Sequence, residues 1–143
     1  MSFRSMNPPG AKQLLDGQEG WVYVDVRTVE EFALGHAPGA YNVPVAFRGP
    51  RGMEPNERFV EVMGRIFERG APLVVACAMG GRSSHACQLL EGAGFTRLVN
   101  MDGGFSGARD GSGAVREPGW QACGFAVSTE SPPERAWSTL SGK

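Results

Sequence analysis

The sequence is poor in the residues that build disulfide frameworks and metal sites. It has three cysteines (Cys77, Cys87 and Cys123) and two histidines (His36 and His85) among 143 residues. An odd number of cysteines without a C-x-x-C pair does not fit a disulfide scaffold. A structural zinc site needs four such ligands at suitable spacing, and the sequence offers no such set. We therefore expect no metal, and a reducing, cytoplasmic compartment.

An excess of one charge sign and long apolar runs are also lacking. Fourteen Lys and Arg stand against fifteen Asp and Glu, a net charge of -1. This balance excludes a protein that binds nucleic acid or a membrane surface through bulk charge. The polar stretch 1–13 predicts no signal peptide, and the most apolar run, Leu73–Met79, is too short to span a bilayer. We expect neither nucleic acid nor a membrane as a partner. The near-neutral charge and the lack of repeats favour a monomer.

Glycine, in contrast, is plentiful, with 21 residues, near twice its average usage. The 41% hydrophobic and 20% charged residues are typical of a globular protein. A chain of this length fits one domain that folds without a metal or disulfide staple. We assign residues 5–127 to this domain. Residues 128–143 are rich in Ser and Pro and predict a poorly ordered C-terminal tail.

Strand patterns alternate with helical patterns along the chain. Leu73–Ala76 is a continuous apolar run, typical of a parallel strand covered on both faces. Thr28 and Glu31 have the spacing of a capping box and predict a short helix. Apolar positions along Phe59–Phe67 predict an amphipathic helix, and the residues before it, 47–56, read as a loop. The rhythm predicts a doubly wound α/β fold, with a central parallel sheet and helices on both faces.

The loop after the central apolar run holds the most informative residues. It reads Cys77-Ala78-Met79-Gly80-Gly81-Arg82-Ser83 and opens directly into a helix. A strand-loop-helix turn aims backbone N–H groups and the positive end of the helix dipole at one point, which favours a thiolate. The glycine pair lets the backbone curl around an anion, and Arg82 adds planar donors. We predict Cys77 as the catalytic nucleophile and residues 78–83 as the anion-binding loop. A merely buried cysteine is the disfavoured alternative.

Two charged residues end the first strand pattern and are candidates for a supporting role. Asp25 and Arg27 could orient the loop, or pair with Glu30 or Glu31. The alternative, which we favour because such pairs are common, is an ordinary salt bridge that stabilises the turn.

The remaining cysteines and histidines have simpler interpretations. Cys87 and Cys123 are expected to be packed, and the alternative is that one of them resolves a reacted Cys77 as a disulfide. We expect His36 to be a hydrogen-bonded turn residue and His85 to lie on a solvated helix face.

Four blocks of the sequence follow one another in the order of a known family. They are Asp25-Val26-Arg27 with Glu30-Glu31-Phe32, Gly35–Ala40 with Asn42-Val43-Pro44, Cys77–Arg82, and Gly94-Phe95 through Leu98-Val99-Asn100 to Gly103-Gly104. Together the blocks resemble a single-domain rhodanese (thiosulfate sulfurtransferase) over roughly residues 7–108. The resemblance implies a rhodanese-like doubly wound fold. It also implies a Cys77 that carries a persulfide sulfur, with no other cofactor.

The length of the loop distinguishes relatives on this fold. In the family that the chain resembles, six residues from Cys to Arg suit sulfur transfer, whereas phosphatase and arsenate-reductase relatives use seven. Cys77 to Arg82 counts six. A tighter ring of amides fits a terminal sulfur, and a phosphoryl group needs a wider one. The count favours a sulfurtransferase over a phosphatase or an arsenate reductase.

The sequence departs from the family pattern in two places, one of which concerns local packing and the other the substrate. The segment Phe105–Ala108 lacks the tryptophan that often follows the closing glycine pair. Ala78 stands where family loops frequently place a bulkier or charged residue, so a preference for thiosulfate stays open. The resemblance implies a small-molecule sulfur donor and acceptor. The alternative is a persulfide carrier or binding module for a protein donor or acceptor, with the long segment 47–57 as a lid or partner surface.

Overall fold

A computed structural model describes residues 3–79 and 81–141 of the chain. These residues form nine strands: β1 (Arg4–Met6), β2 (Val22–Asp25), β3 (Tyr41–Asn42), β4 (Ala46–Gly49), β5 (Gly52–Pro55), β6 (Leu73–Ala76), β7 (Leu98–Met101), β8 (Ala108–Arg109) and β9 (Val115–Glu117). The same residues form five α-helices: α1 (Pro8–Asp16), α2 (Val29–Leu34), α3 (Phe59–Ile66), α4 (Gly81–Gly92) and α5 (Trp137–Leu140). None of these helices is both long and apolar enough to cross a membrane.

A five-stranded parallel sheet occupies the centre, in the order β1-β7-β6-β2-β3. Within it, Asp25 of β2 lies beside Ala76 of β6. The carboxyl ends of parallel strands meet at one edge of a sheet, where sites form. The residues that follow β2 and β6 are therefore brought together. The predicted α/β fold with a central parallel sheet is confirmed.

Successive residues of β6 pack into two separate apolar clusters. Leu73 and Val75 contact the cluster that includes side chains of α3 and α4. Val74 and Ala76 contact the cluster that includes side chains of α1 and α2. Side chains alternate across a strand, so a strand covered on both faces needs apolar residues at every position. This explains the unbroken apolar run, and it places helices on both sides of the sheet.

Helix α2 begins with the predicted capping box. The Thr28 hydroxyl accepts a hydrogen bond from the Glu31 amide at 3.2 Å, and the Glu31 carboxylate accepts one from the Thr28 amide at 3.0 Å. Two amides that the helix itself cannot satisfy are paired in this way. Phe32 is buried and anchors the helix against the sheet.

The segment expected to be a loop, 47–56, contains a hairpin instead. Strands β4 and β5 pair antiparallel, and Gly49 lies opposite Gly52 across a two-residue turn. Gly52 has a φ of 102°, which a residue without a Cβ adopts at no steric cost. The residues of β5 are all exposed and show no apolar alternation, so no local pattern announces the strand.

The chain after the sheet also differs from the poorly ordered tail expected for residues 128–143. Ser128 and His36 exchange two backbone hydrogen bonds, of 2.8 and 2.9 Å. Helix α5 then follows a short 3₁₀ turn at Pro133–Arg135. Residues 142 and 143 lie outside the described part of the chain.

Helix α5 is attached to the domain by two apolar side chains and one hydrogen bond. Trp137 and Leu140 are partly buried against the cluster on the α3 side. The Trp137 ring also lies 6.0 Å from that of Phe47 in the hairpin. Arg65 of α3 donates a hydrogen bond to the Leu140 carbonyl at 2.9 Å. Two apolar residues are too few to form a helical pattern in the sequence, so a segment rich in Ser and Pro gave no sign that it packs against the domain.

The packing of α5 makes Trp137 a stabilising residue. Replacing a buried Trp by Ala costs about 3–5 kcal/mol, so the partly buried Trp137→Ala should lose about 1–3 kcal/mol of unfolding free energy. Urea denaturation measures the loss, with the exposed Thr139→Ala in the same helix as control. Equal midpoints for the two variants would mean that α5 does not hold to the domain.

Candidate active site

Cys77 lies at the carboxyl end of β6, directly before the loop that leads into α4. The residue is only 2% exposed. Its carbonyl oxygen accepts a hydrogen bond from the Phe105 amide at 2.8 Å, and the Ala78 carbonyl accepts one from the Ser106 amide at 2.8 Å. The first two peptide groups of the loop are therefore fastened to the segment that follows β7.

Gly104 allows this segment to approach the loop so closely. Its φ is 59°, in the left-handed region. A Cβ built on Gly104 would lie 2.6 Å from the Ala78 carbonyl oxygen and would also overlap the Cys77 carbonyl oxygen. Real Cβ atoms do not come so near. The closing glycine of the sequence pattern is thus required here by contact as well as by backbone angle.

The other residues of the predicted anion-binding loop lie in sequence order around the start of α4. Met79 is 59% exposed, Gly81 is the first residue of α4, and Arg82 is half-buried. Ser83 is buried, and its hydroxyl oxygen lies 3.5 Å from the Cys77 sulfur. Gly80 lies outside the described residues.

Asn100 of β7 belongs to this site, although the sequence patterns predicted no role for its side chain. It is 6% exposed, and its Oδ1 accepts a hydrogen bond from the Ser83 hydroxyl at 2.5 Å. The signal in the sequence was a single amide side chain within the apolar strand Leu98–Met101. A buried polar side chain requires a partner, and here the partner touches the candidate nucleophile.

The charged side chains near the loop form two ion pairs. Arg82 makes two hydrogen bonds to Glu31, of 2.7 and 3.0 Å. Arg27 binds Asp25 through both carboxylate oxygens, with the closest contact at 2.8 Å. Pairing of Asp25 or Arg27 with Glu30 or Glu31 was the disfavoured option, and the favoured interpretation, an ordinary salt bridge at this turn, describes the structure: Asp25 and Arg27 pair with each other.

The Asp25–Arg27 pair is buried, with exposures of 1% and 4%. Arg27 also donates a hydrogen bond to the Gly35 carbonyl at 2.7 Å, and its guanidinium lies 4.4 Å from the centre of the Phe105 ring. The pair therefore supports Phe105, whose amide in turn holds the Cys77 carbonyl. Its support of the loop is indirect, through this ring.

The Glu31 carboxylate both completes the capping box of α2 and pairs with Arg82. Burial alone would raise its pKa, but hydrogen bonds from Arg82 and Thr28 outweigh burial and lower the pKa to about 2. Glu31 is thus ionised throughout the neutral and mildly acidic range. Arg82 is held beside the loop by a permanent counter-charge.

Two shallow grooves lie on either side of the Glu31–Arg82 pair. One, of about 250 Å³, is lined by Arg82, His85 and Met53 of the hairpin, among others. The second, of about 260 Å³, is lined by Glu31, Leu34 and neighbouring residues of the closing segment. Larger cavities occur elsewhere, near the amino ends of the strands, and contain no cysteine.

Cys87, Cys123 and His36 take no direct part in this arrangement, whereas the exposed His85 lines the groove beside Arg82. Cys87 is fully buried, and burial raises the pKa of its thiol to about 12, which keeps it protonated. Cys123 is half-buried and, like the other two cysteines, forms no disulfide. His36 stacks on Phe32 at 3.6 Å, with its Nδ1 2.7 Å from the Phe32 carbonyl oxygen. Among the described residues no group of His, Cys, Asp and Glu could hold a metal ion.

Comparison with known protein families matches residues 8–110 to the rhodanese-like domain. The chain belongs to the rhodanese family. The chain is 46% identical over 87 residues to thiosulfate sulfurtransferase 16, chloroplastic, of Arabidopsis thaliana. The matched residues cover 61% of this chain and 72% of that protein. The chain is 31% identical over 103 residues to thiosulfate sulfurtransferase GlpE of Ectopseudomonas mendocina, covering 72% of this chain and 82% of that protein.

The rhodanese spans about three fifths of the length of some other Arabidopsis relatives that it matches. Among solved structures, the crystal structure of Rv0390 from M. tuberculosis is similar, with a TM-score of 0.75 and 26% identity over 91% of this chain and 100% of that one. These comparisons agree with the family resemblance of the four sequence blocks. They support a place among the sulfurtransferases at the level of the family.

The close approach of Gly104 can be tested with a matched pair of variants. Gly113 also has a positive φ, 88°, but no atom lies within 4 Å of its would-be Cβ. Both alanine variants share the backbone strain, and only Gly104→Ala adds a clash with the loop. We expect Gly104→Ala to lose about 1–3 kcal/mol more unfolding free energy than Gly113→Ala, measured by urea denaturation. Equal losses would contradict the contact.

The Glu31–Arg82 pair predicts a dependence of stability on pH. The pKa of Glu31 falls from 4.5 to about 2 on folding, so its contribution is complete above pH 4.5 and is lost as the pH falls towards 2. The stability difference between wild type and Glu31→Gln should therefore shrink over that range. Denaturation at several pH values measures it, with the exposed neighbour Glu30→Gln as control. A difference that stays constant with pH would refute the ion pair's contribution.

Proposed function

We propose that this rhodanese is a sulfurtransferase that works through a persulfide on Cys77. The Cys77 thiolate attacks the outer sulfur of thiosulfate or of a persulfide donor. The S–S bond of the donor breaks, and its electron pair leaves with sulfite or with the donor thiolate. A nucleophilic acceptor, cyanide or a thiol, then attacks the outer sulfur of the Cys77 persulfide and regenerates the thiolate. Such covalent catalysis in two steps predicts ping-pong kinetics and needs no other cofactor.

The observation that supports this proposal most strongly is the position of Cys77. It stands between the end of β6 and the first turn of α4, a helix of 12 residues. The backbone amides at such a helix start carry partial positive charge, which stabilises an anionic sulfur. The carbonyls of Cys77 and Ala78 each accept a hydrogen bond from an amide of the closing segment, which directs these two oxygen atoms towards that segment.

Arg82 is proposed to bind the charged part of the donor. A guanidinium has five N–H groups. Two of the hydrogen bonds that Arg82 makes go to Glu31, which fixes its plane beside the loop. The remaining N–H groups can bind the oxygen atoms of thiosulfate, or a carboxylate of a small persulfide, without a change of side-chain position.

A second candidate function is a persulfide carrier for a protein partner. Exposed apolar side chains surround the loop: Met79 is 59% exposed, Leu34 84% and Met53 43%. They come from the loop, from α2 and from the hairpin, and the grooves between them are too open to enclose a small donor. An apolar rim of this kind fits a protein surface better than a free anion. Slow turnover of thiosulfate with rapid loading from a protein persulfide would favour this role.

The mass of the intact protein tests the proposal. We expect wild type to gain one sulfur atom after incubation with thiosulfate or a persulfide donor, and to lose it to cyanide with formation of thiocyanate. Cys77→Ser should gain none, whereas Cys123→Ser should behave as wild type. If the persulfide donor adds sulfur to Cys77 and thiosulfate does not, the result favours the role of a persulfide carrier. No loading by either donor would overturn sulfur transfer, and Cys77-dependent hydrolysis of an aryl phosphate would point to a phosphatase instead.

A further inference from the structure

A short chain of hydrogen bonds leads from the candidate nucleophile to the edge of the sheet. The Cys77 thiol lies 3.5 Å from the Ser83 hydroxyl oxygen, and that hydroxyl donates to Asn100 Oδ1 at 2.5 Å. Asn100 Nδ2 in turn donates to the hydroxyl of Ser5, on β1, at 3.5 Å. Asn100 is thus the only amide side chain in this chain of hydrogen bonds, and it lies two bonds from the sulfur.

The direction of these bonds suits a protonated thiol. The Cys77 S–H donates to the Ser83 hydroxyl oxygen, and the Ser83 O–H donates to Asn100. The Ser83 proton therefore points away from the sulfur. A thiolate or a persulfide anion needs the opposite, a Ser83 hydroxyl that donates to sulfur. A hydroxyl has a single proton, so it cannot serve Asn100 Oδ1 and the sulfur at once.

We propose that Asn100 is a positioning residue that sets the direction of the Ser83 hydroxyl. A half-turn of the amide brings Nδ2 to Ser83, which then accepts from Asn100 and donates its own proton to the Cys77 anion. The Ser5 hydroxyl can donate or accept, so it satisfies the amide in either orientation. The thiol proton is released to water when the anion forms. The inference rests on the proposed function only in taking Cys77 as the nucleophile.

This role requires a group that can both donate and accept. An aspartate at position 100 can only accept while it is ionised, so it would hold the Ser83 proton away from the sulfur. A leucine at the same position makes no hydrogen bond, so it removes the acceptor that holds the Ser83 proton away from the sulfur. A role in packing alone predicts the reverse order of damage, because aspartate keeps the size and shape of asparagine whereas leucine does not.

Other titratable and charged groups act on the Cys77 sulfur and are unchanged in these variants. They include Tyr23 of β2, and Arg82 and Cys87 of α4. Burial raises the pKa of Tyr23 well above its ordinary value, and that of Cys87 to about 12, so neither ionises near neutral pH. Differences between variants at position 100 therefore report on Asn100.

The experiment measures the rate of Cys77 alkylation by iodoacetamide against pH, read from the mass of the proteolytic peptide that contains Cys77, because the half-buried Cys123 also reacts. It needs no sulfur transfer, so failure of the proposed function would not affect it. We expect Asn100→Asp to raise the midpoint of the profile by about one pH unit, a roughly tenfold slower reaction below it. Asn100→Leu should not raise it. When Ser83 is also replaced by alanine, the difference in alkylation midpoint between Asn100→Asp and Asn100→Leu should shrink by at least half.

The matched control is another buried asparagine. Asn56 is 7% exposed and hydrogen-bonds the Pro44 carbonyl and the Arg58 amide, away from Ser83. Asn56→Asp should lower the melting temperature and leave the alkylation midpoint unchanged. An equal shift for Asn100→Asp and Asn100→Leu would overturn the proposal. So would a shift that persists undiminished without the Ser83 hydroxyl, since the charge would then act directly on the sulfur.

Discussion

The site depends on the contact between two backbone segments. The turn after β7 presses against the loop after β6, and the amides of Phe105 and Ser106 take up the carbonyls of Cys77 and Ala78. The turn after β7 is itself held by backbone hydrogen bonds, from the Gly104 amide to the Met101 carbonyl and from the Gly107 amide to the Gly103 carbonyl, so it forms a fixed support for the loop. Because Gly104 lies at the contact, the closest atoms are all backbone atoms. The position of the sulfur is thus determined by main-chain geometry, which is stiffer than any side-chain arrangement.

Charges around the loop occur in neutral pairs, and each pair has a second structural task. Glu31 completes the capping box of α2 while it holds Arg82, so the beginning of one helix and the cation beside another are set by one carboxylate. Asp25 neutralises Arg27, whose guanidinium also lies over the Phe105 ring. Isolated buried charges would be costly, and pairing removes that cost while it fixes direction.

Local patterns predicted the elements that interact mainly with themselves or are covered on both faces. The apolar run of β6 and the capping box at Thr28 are such cases, and so is the loop from Cys77. Local patterns failed where the decisive contact is remote. The hairpin has no apolar alternation because its strands are not core strands. Glu31 and Arg82 are 51 residues apart, and Asn100 contacts a helix that begins far from it in sequence. The periodicity of apolar residues carries no information about contacts between residues so far apart in sequence.

The edge strand β1 has a consequence for how the chain is made. Arg4–Met6 pairs with Val99–Met101, so the first strand of this sheet to be synthesised has no partner in the sheet until β7 has followed it. During that interval three other strands can pair among themselves, β6 last of all. Long-range parallel pairing of this kind is slow, because a large loop must close before the contact forms. Within this sheet, β1 is therefore synthesised first and paired last.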